Sequence, residues 1–592
     1  MGKRVLLLTI LLVVILVGDV HAVSILATKH NLSATSGNAI RAVTEDQVCI
    51  FCHTPHNANP AVGLWNHVTN TSGYTIYASS SLDGETTQPK GATKLCLSCH
   101  DGTIGLGRLL GGVEVAMVGA TMLTGSKSLG TDLRNDHPVS VAVQTSPAAR
   151  DPVIVLNPTD PGIRYIFDAE GNQRVECTSC HDPHDNTYGT FLRKPNIIAG
   201  VGSQICIVCH EKQGWDSSAH RNSTKQYQGT SLRELACDAC HSPHHSQSTV
   251  RLLNKNEEAL CLECHGGSTR ITAKDARAPF LLSYSHPVLD RSGLHDFVET
   301  GPINAGATRS QDRAPNAHAE CEDCHGPHGV QGGRHIKGTS QIGSVLLGAW
   351  GLKPIYDPAR GAYADPIAWE KVVFTDTTGP DSLEAYLCFK CHPEKAREFN
   401  PYNGSYHAVM APVAPPKTSG YGTYINGWTA TSGMTCSDCH GTNNTSSTVI
   451  QGPHGSAHRG ILTKRFEPNT DMKEGQKGIG TGVHKDRNTN NDLCFDCHDR
   501  MVYGHKDGYE DNRNYRSGFA DGTKENYHVE DHDGIACTAC HTVHGSRDRA
   551  LLTNFRDSSR GFPENRGSLL RVITWRSPTR WGEKDYCNHD CK

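Results

Sequence analysis

The chain has 592 residues, a formal net charge of −4, and only 36% hydrophobic and 6% aromatic residues. So low an apolar content makes a poor core for a chain of this length if side chains alone must fill it. The slightly acidic balance argues against nucleic-acid binding. We therefore expect a bound cofactor to fill part of the interior.

The N-terminus has the features of an export signal. Lys3 and Arg4 precede an apolar run over residues 5–17, and the small residue Ala22 follows. The 13 residues of this run are fewer than the roughly 20 that span a bilayer, which favours cleavage over retention as an anchor. We expect residues 1–22 to be removed, no membrane span afterwards, and a location in the periplasm or at the outer, extracellular cell surface.

Eleven copies of the pattern Cys-x-x-Cys-His follow, and they use 22 of the 24 cysteines. This spacing is typical of c-type haem attachment, because both thiols can form thioethers to one porphyrin edge while the next imidazole binds the iron. The motifs, numbered 1 to 11 in chain order, are Cys49/Cys52/His53, Cys96/Cys99/His100, Cys177/Cys180/His181, Cys206/Cys209/His210, Cys237/Cys240/His241, Cys261/Cys264/His265, Cys321/Cys324/His325, Cys388/Cys391/His392, Cys436/Cys439/His440, Cys494/Cys497/His498 and Cys537/Cys540/His541.

Structural zinc is the alternative, since paired Cys-x-x-Cys units also form zinc ribbons. Zinc gives no reason for a histidine after every second cysteine, and it fits poorly with export. The sequence therefore predicts haem c as the cofactor, with about 52 residues available per haem once the signal is removed.

Histidine supplies the second constraint. Of 34 histidines, 11 are proximal ligands and His21 lies in the signal, which leaves 22 for the second axial positions. Only six Met follow Met1, so we expect bis-histidine haems of low potential. The candidate second ligands are His30, His56, His67, His137, His184, His220, His244, His286, His318, His328, His407, His454, His484, His528 and His544.

Five of these candidates lie three residues after a proximal histidine, too close to reach the opposite face of the same iron. They should therefore ligate a neighbouring haem; they are His56, His184, His244, His328 and His544. The fifteen candidates exceed the eleven places, so several are not ligands. The histidines predicted not to be ligands are His245, His295, His335, His458, His505 and His532.

Motif spacing and composition predict the organisation of the chain. Motifs 3 to 6 are only 24 to 31 residues apart, and the stretch after Cys177 is repeated after Cys237, which indicates duplication of one unit. Frequent Gly and Pro predict a mostly irregular chain with short α-helices wrapped around the haems, and little β-structure. The predicted regions are a signal at 1–22, a dihaem region at 23–165, a four-haem cluster at 166–275, a three-haem region at 276–450 with a haem-free insertion at about 329–381, and a C-terminal region at 451–592. The insertion is either a small β-rich unit or a long loop.

Several stretches resemble multihaem c-type cytochromes with doubled Cys-x-x-Cys-His motifs, including cytochrome c3-like and outer-membrane cytochromes of metal-respiring bacteria. The similar stretches are Lys29–Ser33, Cys49–Asn57, Leu64–His67, Leu95–Gly102 and Asn135–Pro138. The resemblance is strongest over residues 29–140 and 175–270. It implies stacked and T-shaped haem pairs that carry electrons through the periplasm, across the outer membrane or along extracellular filaments.

The C-terminal sequence departs from this pattern. Cys587 and Cys591 have three residues between them, and Lys592 stands where the proximal histidine would be. One interpretation is a terminal disulfide. The other is a twelfth haem with an open face, which resembles the lysine-ligated haem of multihaem nitrite reductases.

We predict an electron carrier with about eleven bis-histidine haems and no catalytic residues, which serves periplasmic or extracellular respiration. The alternative is a reductase of the nitrite, hydroxylamine or tetrathionate type with one open haem near Lys592. The expected partners are other redox proteins, namely cytochromes, an outer-membrane conduit or quinol-linked donors. A homo-oligomer or filament also fits the pattern.

Overall fold

The computed structural model describes residues 25–58, 64–78, 82, 84–143, 160–167, 171, 173–197, 200, 202–249, 251–267, 274–289, 318–410, 424–446, 449–464, 493–499 and 542–546. The chain divides into two compact units. The N-terminal unit comprises Met1–Trp215 and His220–Leu260, and the C-terminal unit comprises Asp216–Ala219 and Cys261–Lys592.

The helices are short, and about half of those in the described ranges include residues of a haem motif. The α-helices are α1 (Gly91–His100), α2 (Cys177–Cys180), α3 (Gln204–Ile207), α4 (Leu232–Leu235), α5 (Glu257–His265), α6 (Arg277–Phe280), α7 (Glu384–Phe389) and α8 (Cys436–Cys439). The 3-10 helices are Ile25–Ala27, Val48–Phe51, Leu110–Gly112, Gly125–Lys127, Trp215–Ser217, Ala236–Ala239, Cys321–Asp323, Ser344–Leu346, Pro358–Arg360, Pro393–Phe399 and Cys494–Asp496. Helices this short gain little from their own hydrogen bonds, so packing must hold them.

The strands are also short, and most of them pair in twos. They are β1 (Arg41–Ala42), β2 (Gly84–Thr86), β3 (Met117–Val118), β4 (Val141–Val143), β5 (Ile166–Phe167), β6 (Gln173–Val175), β7 (Gln226–Tyr227), β8 (Thr230–Ser231), β9 (Tyr284–Ser285), β10 (Trp350–Ile355), β11 (Ala368–Val373), β12 (Ser405–Tyr406), β13 (Gly455–Ser456) and β14 (Gly545–Ser546). The antiparallel pairs are β1 with β3, β7 with β8, β9 with β13, β10 with β11 and β12 with β14, and one four-stranded sheet has the order β2-β4-β6-β5. The predicted fold class, a mainly irregular chain with short helices and little β-structure, is confirmed.

The predicted haem-free insertion contains an antiparallel hairpin. Strand β10 pairs with β11 over six residues, from Trp350 opposite Val373 to Ile355 opposite Ala368. Buried side chains of this hairpin and of the segment behind it form a hydrophobic cluster that includes Phe374 (1% exposed) and Phe389 (1% exposed). Regular β-structure in the insertion thus covers residues 350–355 and 368–373.

None of the helices in the described ranges is both long enough and apolar enough to cross a bilayer.

Candidate haem-binding sites

Each described motif forms a single helical turn. In motifs 1 to 10 the amide of the histidine donates to the carbonyl oxygen of the first cysteine, or the turn lies within a longer helix; examples are His53 to Cys49 at 2.8 Å and His325 to Cys321 at 2.9 Å. This hydrogen bond spans four residues, as in an α-helix. It keeps both cysteines and the histidine of a motif within one turn of chain, as attachment to one porphyrin requires.

Seven motif histidines face a second histidine across a nearly constant gap. The pairs and their ring-centre separations are His30–His100 (6.1 Å), His53–His184 (6.1 Å), His137–His210 (6.2 Å), His181–His244 (6.3 Å), His286–His392 (6.5 Å), His325–His454 (6.1 Å) and His440–His544 (6.3 Å). A metal binds an imidazole nitrogen at about 2.0 Å, and roughly 1.2 Å more separates that nitrogen from its ring centre, so two axial imidazoles lie about 6 Å apart. The residues present therefore fit an iron held between them.

The pairs follow a simple offset in motif number. A histidine that follows one motif closely faces the proximal histidine two motifs earlier: His184, after motif 3, faces motif 1, and His244, after motif 5, faces motif 3. His544 faces motif 9 in the same way. In each of these cases the histidine lies beside the proximal histidine of a motif other than the one it follows.

The second type of histidine precedes an odd-numbered motif and faces the even-numbered motif that comes next. His30 faces motif 2, His137 faces motif 4 and His286 faces motif 8. Odd-numbered and even-numbered motifs therefore obtain their second histidine from opposite directions along the chain.

Backbone carbonyls orient many of these rings. The Nδ1 atom lies 2.9 Å from a carbonyl oxygen in His100, His181 and His241. It lies 2.6 Å from Pro453 O in His286. An Nδ1–H that donates to a carbonyl leaves the Nε2 lone pair free for a metal, so the backbone selects the ligating tautomer.

Burial also favours the neutral form of these histidines, which is the form that can bind a metal. Burial lowers the pKa of His454 to about 3, and the nearby His325 and His286 contribute to the decrease. Burial also lowers the pKa of His30 to about 4, with a contribution from His100. Both rings are therefore neutral at physiological pH, which is the form that binds iron.

The first cysteines of successive motifs meet in pairs. The Cys96 thiol hydrogen-bonds with Cys177, and Cys388 does so with Cys436, which together with burial raises the pKa of Cys96 and of Cys388. Cys206 and Cys237 form the same contact, and the sulfur atoms of Cys261 and Cys321 lie within 4.8 Å of each other. An even-numbered motif thus touches the next odd-numbered motif through the first cysteines.

The second cysteines approach each other where an odd-numbered motif meets the next even-numbered motif. Burial raises the pKa of Cys99, Cys180 and Cys439 to about 12, and the second cysteine of the partner motif contributes to each rise. The second cysteines that lie near one another are Cys52 with Cys99, Cys180 with Cys209, Cys324 with Cys391 and Cys439 with Cys497. Motifs that are neighbours in sequence are thus neighbours in space in these cases.

The second cysteines of motifs 5 and 6, Cys240 and Cys264, do not belong to these four pairs. Both are partly buried. The amide of Cys240 donates to Cys237 O at 3.1 Å, and Cys264 lies near the end of α5, one residue before His265. Each thus lies in the helical turn of its own motif. Haem attachment at Cys240 and Cys264 stays a prediction, as it does at the other motif cysteines.

Comparison with known proteins finds sequence similarity in these motifs. Residues 170–214 and 231–269 match a family model described as the doubled CXXCH motif. The chain is 22% identical over 305 residues to the multiheme cytochrome MtrA of Shewanella baltica, a match that covers 47% of this chain and 71% of MtrA. It is 27% identical over 103 residues to the cytochrome c-type protein NrfB of Escherichia coli O6:H1, which covers 15% of this chain and 49% of NrfB.

The motifs and these matches together support a multihaem c-type cytochrome. The resemblance predicted from its motifs is confirmed, and so is haem c as its cofactor.

Some predicted ligands of the cytochrome have other surroundings. His67 is fully buried, with Nδ1 2.9 Å from Val68 O and Nε2 3.1 Å from Gly105 O, an arrangement that favours packing over ligation. His56 is exposed. His220, His318 and His328 are partly buried. His407 differs from these, because its Nδ1 atom lies 2.6 Å from Val543 O, the same kind of contact as in the paired rings.

Other predicted residues lie outside the described part of the cytochrome. They are Cys537, Cys540, His541, His484, His528, His295, His505, His532, Cys587, Cys591 and Lys592. Of the described histidines predicted not to ligate, His335 binds Asp438 at 2.9 Å, while the backbone amide of His245 donates to Asp136 and that of His458 to Ser456.

Sequence reasoning missed three charged residues around these sites. Glu398 accepts a hydrogen bond from His544 Nδ1 at 2.8 Å. Glu384 accepts from both the amide and the hydroxyl of Ser437 at 2.8 Å and so joins α7 to α8. Lys390 is buried inside motif 8. Of the three, only Glu384 could have been found from the sequence, because it lies four residues before Cys388 and so on the same side of a helix.

Proposed function

We propose that the protein is an electron carrier whose haems are closed on both axial faces by histidine. The seven histidine pairs with ring centres 6.1–6.5 Å apart carry this proposal. Haem, when bound, supplies a one-electron Fe(III)/Fe(II) couple. Two imidazoles on opposite faces leave no position for a substrate on the metal, which favours electron transfer over catalysis.

The chain's own residues hold the rings and anchor the cofactor. The paired cysteines of each motif provide covalent attachment, and the carbonyls at Nδ1 fix the ring orientation. Imidazoles held in this way would move little when a bound haem changes oxidation state, which would favour electron transfer. The cysteine contacts support passage of electrons between motifs in chain order within each unit.

We assign His407 as the second ligand of the haem at motif 10. The segments around His407 and His286 have matching backbones: the amide of His407 donates to His544 O at 3.0 Å, and that of His286 donates to His454 O at 3.3 Å. His407 follows β12, which pairs with β14, the strand after His544. His286 follows β9, which pairs with β13, the strand after His454. Since His286 faces the even-numbered motif 8, His407 should face His498, the proximal histidine of motif 10.

The remaining features of the proposal follow from the motifs. We propose eleven haems, export to the periplasm or cell surface, and exchange of electrons with other redox proteins in respiration. The matched cytochromes support a redox role of this general kind.

Low-temperature EPR of the oxidised holoprotein tests the axial assignment. We expect low-spin ferric signals throughout and no change on addition of nitrite or hydroxylamine. His454→Ala should convert about one haem to high spin, and His407→Ala another, whereas His458→Ala, which removes a nearby histidine, should convert none. A large high-spin signal in the unmodified protein that responds to nitrite would overturn the proposal. The intact mass of the holoprotein would give the number of attached haems.

A further inference from the structure

Lys390 is a buried cation between two haem motifs. It lies between the cysteines of motif 8 and is 2% exposed. Its Nζ donates to the carbonyl oxygen of Asp323, which lies between the cysteines of motif 7. The ammonium group also lies 4.2 Å from the centre of the Trp350 ring.

The charge of Lys390 also acts on the cysteines of both motifs. Burial raises the pKa of Cys324, and the positive charge of Lys390 opposes that rise. Lys390 has the same opposing effect on the pKa of Cys388. The cation is therefore close to the attachment points of the haems at motifs 7 and 8.

Among the residues that the structure describes, no carboxylate forms an ion pair with Lys390. Burying a charge without a counter-ion is costly. The Asp323 carbonyl and the Trp350 ring offset only part of this cost. A lysine retained under these conditions exerts its field on whatever lies next to it, because little solvent screens it. The negative charges of Glu384 and Asp323 act in the opposite sense on the cysteines of motifs 8 and 7, but neither carboxylate forms an ion pair with Lys390.

We propose that Lys390 raises the reduction potential of the haems at motifs 7 and 8. This inference rests on the proposed function, since it requires haems at both motifs. Oxidised iron carries one more positive charge than reduced iron, so a neighbouring cation destabilises the oxidised form. A unit charge at roughly 10 Å in a medium of effective dielectric constant about 20 changes an equilibrium constant by about tenfold. Electrons in the C-terminal unit would then reside preferentially on these two haems.

The test is a spectroelectrochemical titration of the full-length holoprotein. Lys390→Met should make reduction of one or two haems about tenfold less favourable, which is about 59 mV for a one-electron couple. Lys390→Arg should restore the potential because it keeps the charge. The matched control is Lys371→Met, because Lys371 also lies over Trp350, at 4.5 Å, but is exposed to solvent. It should shift the potential much less.

Haem content and low-spin EPR of the same variants separate this inference from the proposed function. Unchanged haem content and spin state with no shift in Lys390→Met would overturn the role of Lys390 alone. An equal shift in Lys371→Met would also overturn it, because burial would then not matter. If Lys390→Met fails to fold, a titration of the unmodified protein followed by NMR of its haem methyl groups decides: haems 7 and 8 should be reduced before haems 9 and 10, and the reverse order overturns the inference.

Discussion

Two regions of the molecule are held together in different ways. The hairpin region, residues 340–410, has a side-chain core that includes Phe374, Phe389 and Phe399. The paired-motif region, residues 173–197, 202–215 and 220–249, buries Ile205 and Ala236 among its hydrophobic residues, and otherwise mainly polar side chains. Both regions carry haem motifs, but only the hairpin region has a hydrophobic cluster of its own among the described residues.

The difference shows what haem contributes to stability. A region with many buried apolar side chains obtains its folding free energy from their burial. The paired-motif region has few such contacts to offset the entropy of ordering its chain, so the attached porphyrins must supply the missing apolar surface. We expect the paired-motif region to depend on haem and the hairpin region to tolerate its loss.

Removal of one haem should have the largest effect. Replacing Cys177 and Cys180 with Ala should abolish haem at motif 3 and speed amide exchange over the paired-motif region by about tenfold or more. Replacing Cys388 and Cys391 with Ala should leave the hairpin region protected. Hydrogen exchange with mass spectrometry on the purified full-length variants measures both. Equal loss of protection in the two regions would show that the side-chain core does not stand alone.

Truncation of the core is the reverse experiment. Phe374→Ala removes a ring that is 1% exposed, and deletions of this kind cost about 3–5 kcal/mol. Hydrogen exchange should increase around the hairpin while the paired-motif region keeps its protection. The neighbouring Val373→Ala is the control, since Val373 is 44% exposed and its loss should cost little. A similar cost for both variants would contradict the assignment of the core.

Acid should weaken the hairpin region through Glu398. Burial raises the pKa of Glu398, but His544 and Lys395 outweigh it and bring the pKa to about 2, below its ordinary value. A lowered pKa contributes stability that is complete above about pH 4.5 and is lost as the pH falls toward 2, on the order of 2–4 kcal/mol.

The melting temperature of wild type and Glu398→Gln as a function of pH tests this contribution. The wild-type protein should melt at a higher temperature than the variant above about pH 4.5, and this difference should disappear as the pH falls toward 2. Glu370→Gln is the control because Glu370 is exposed. A constant difference across this range would show that the Glu398 charge contributes nothing.

The smallest effect concerns a helix cap in the paired-motif region. Ser231 accepts a hydrogen bond from the Glu234 amide at 3.3 Å, and Glu234 accepts one from the Ser231 amide at 3.2 Å. Ser231→Ala should cost about 1 kcal/mol, whereas Ser231→Asp should retain most of the cap. Chemical denaturation followed by circular dichroism compares the two. Equal losses would mean that the cap does not stabilise α4.

Much of the fold and the cofactor followed from local sequence. The Cys-x-x-Cys-His spacing predicted haem c, and the frequent Gly and Pro predicted an irregular chain; both are confirmed. The environments of His67 and Lys390 were not predictable. His67 looks like a ligand in sequence, yet both its nitrogens face carbonyls, and one of these, Gly105 O, is 38 residues away. Lys390 was buried by contacts with Asp323 and Trp350, which no local pattern announces.

Sequence by itself determined the cofactor, because covalent attachment uses three residues within one helical turn, and such a turn forms wherever the spacing allows. Only the tertiary structure decided which imidazoles face each other. The facing histidines are 63 to 131 residues apart in the chain, so only contacts between distant segments bring them together. An iron needs two ligands about 6 Å apart on opposite faces, and one turn of chain can reach only one face.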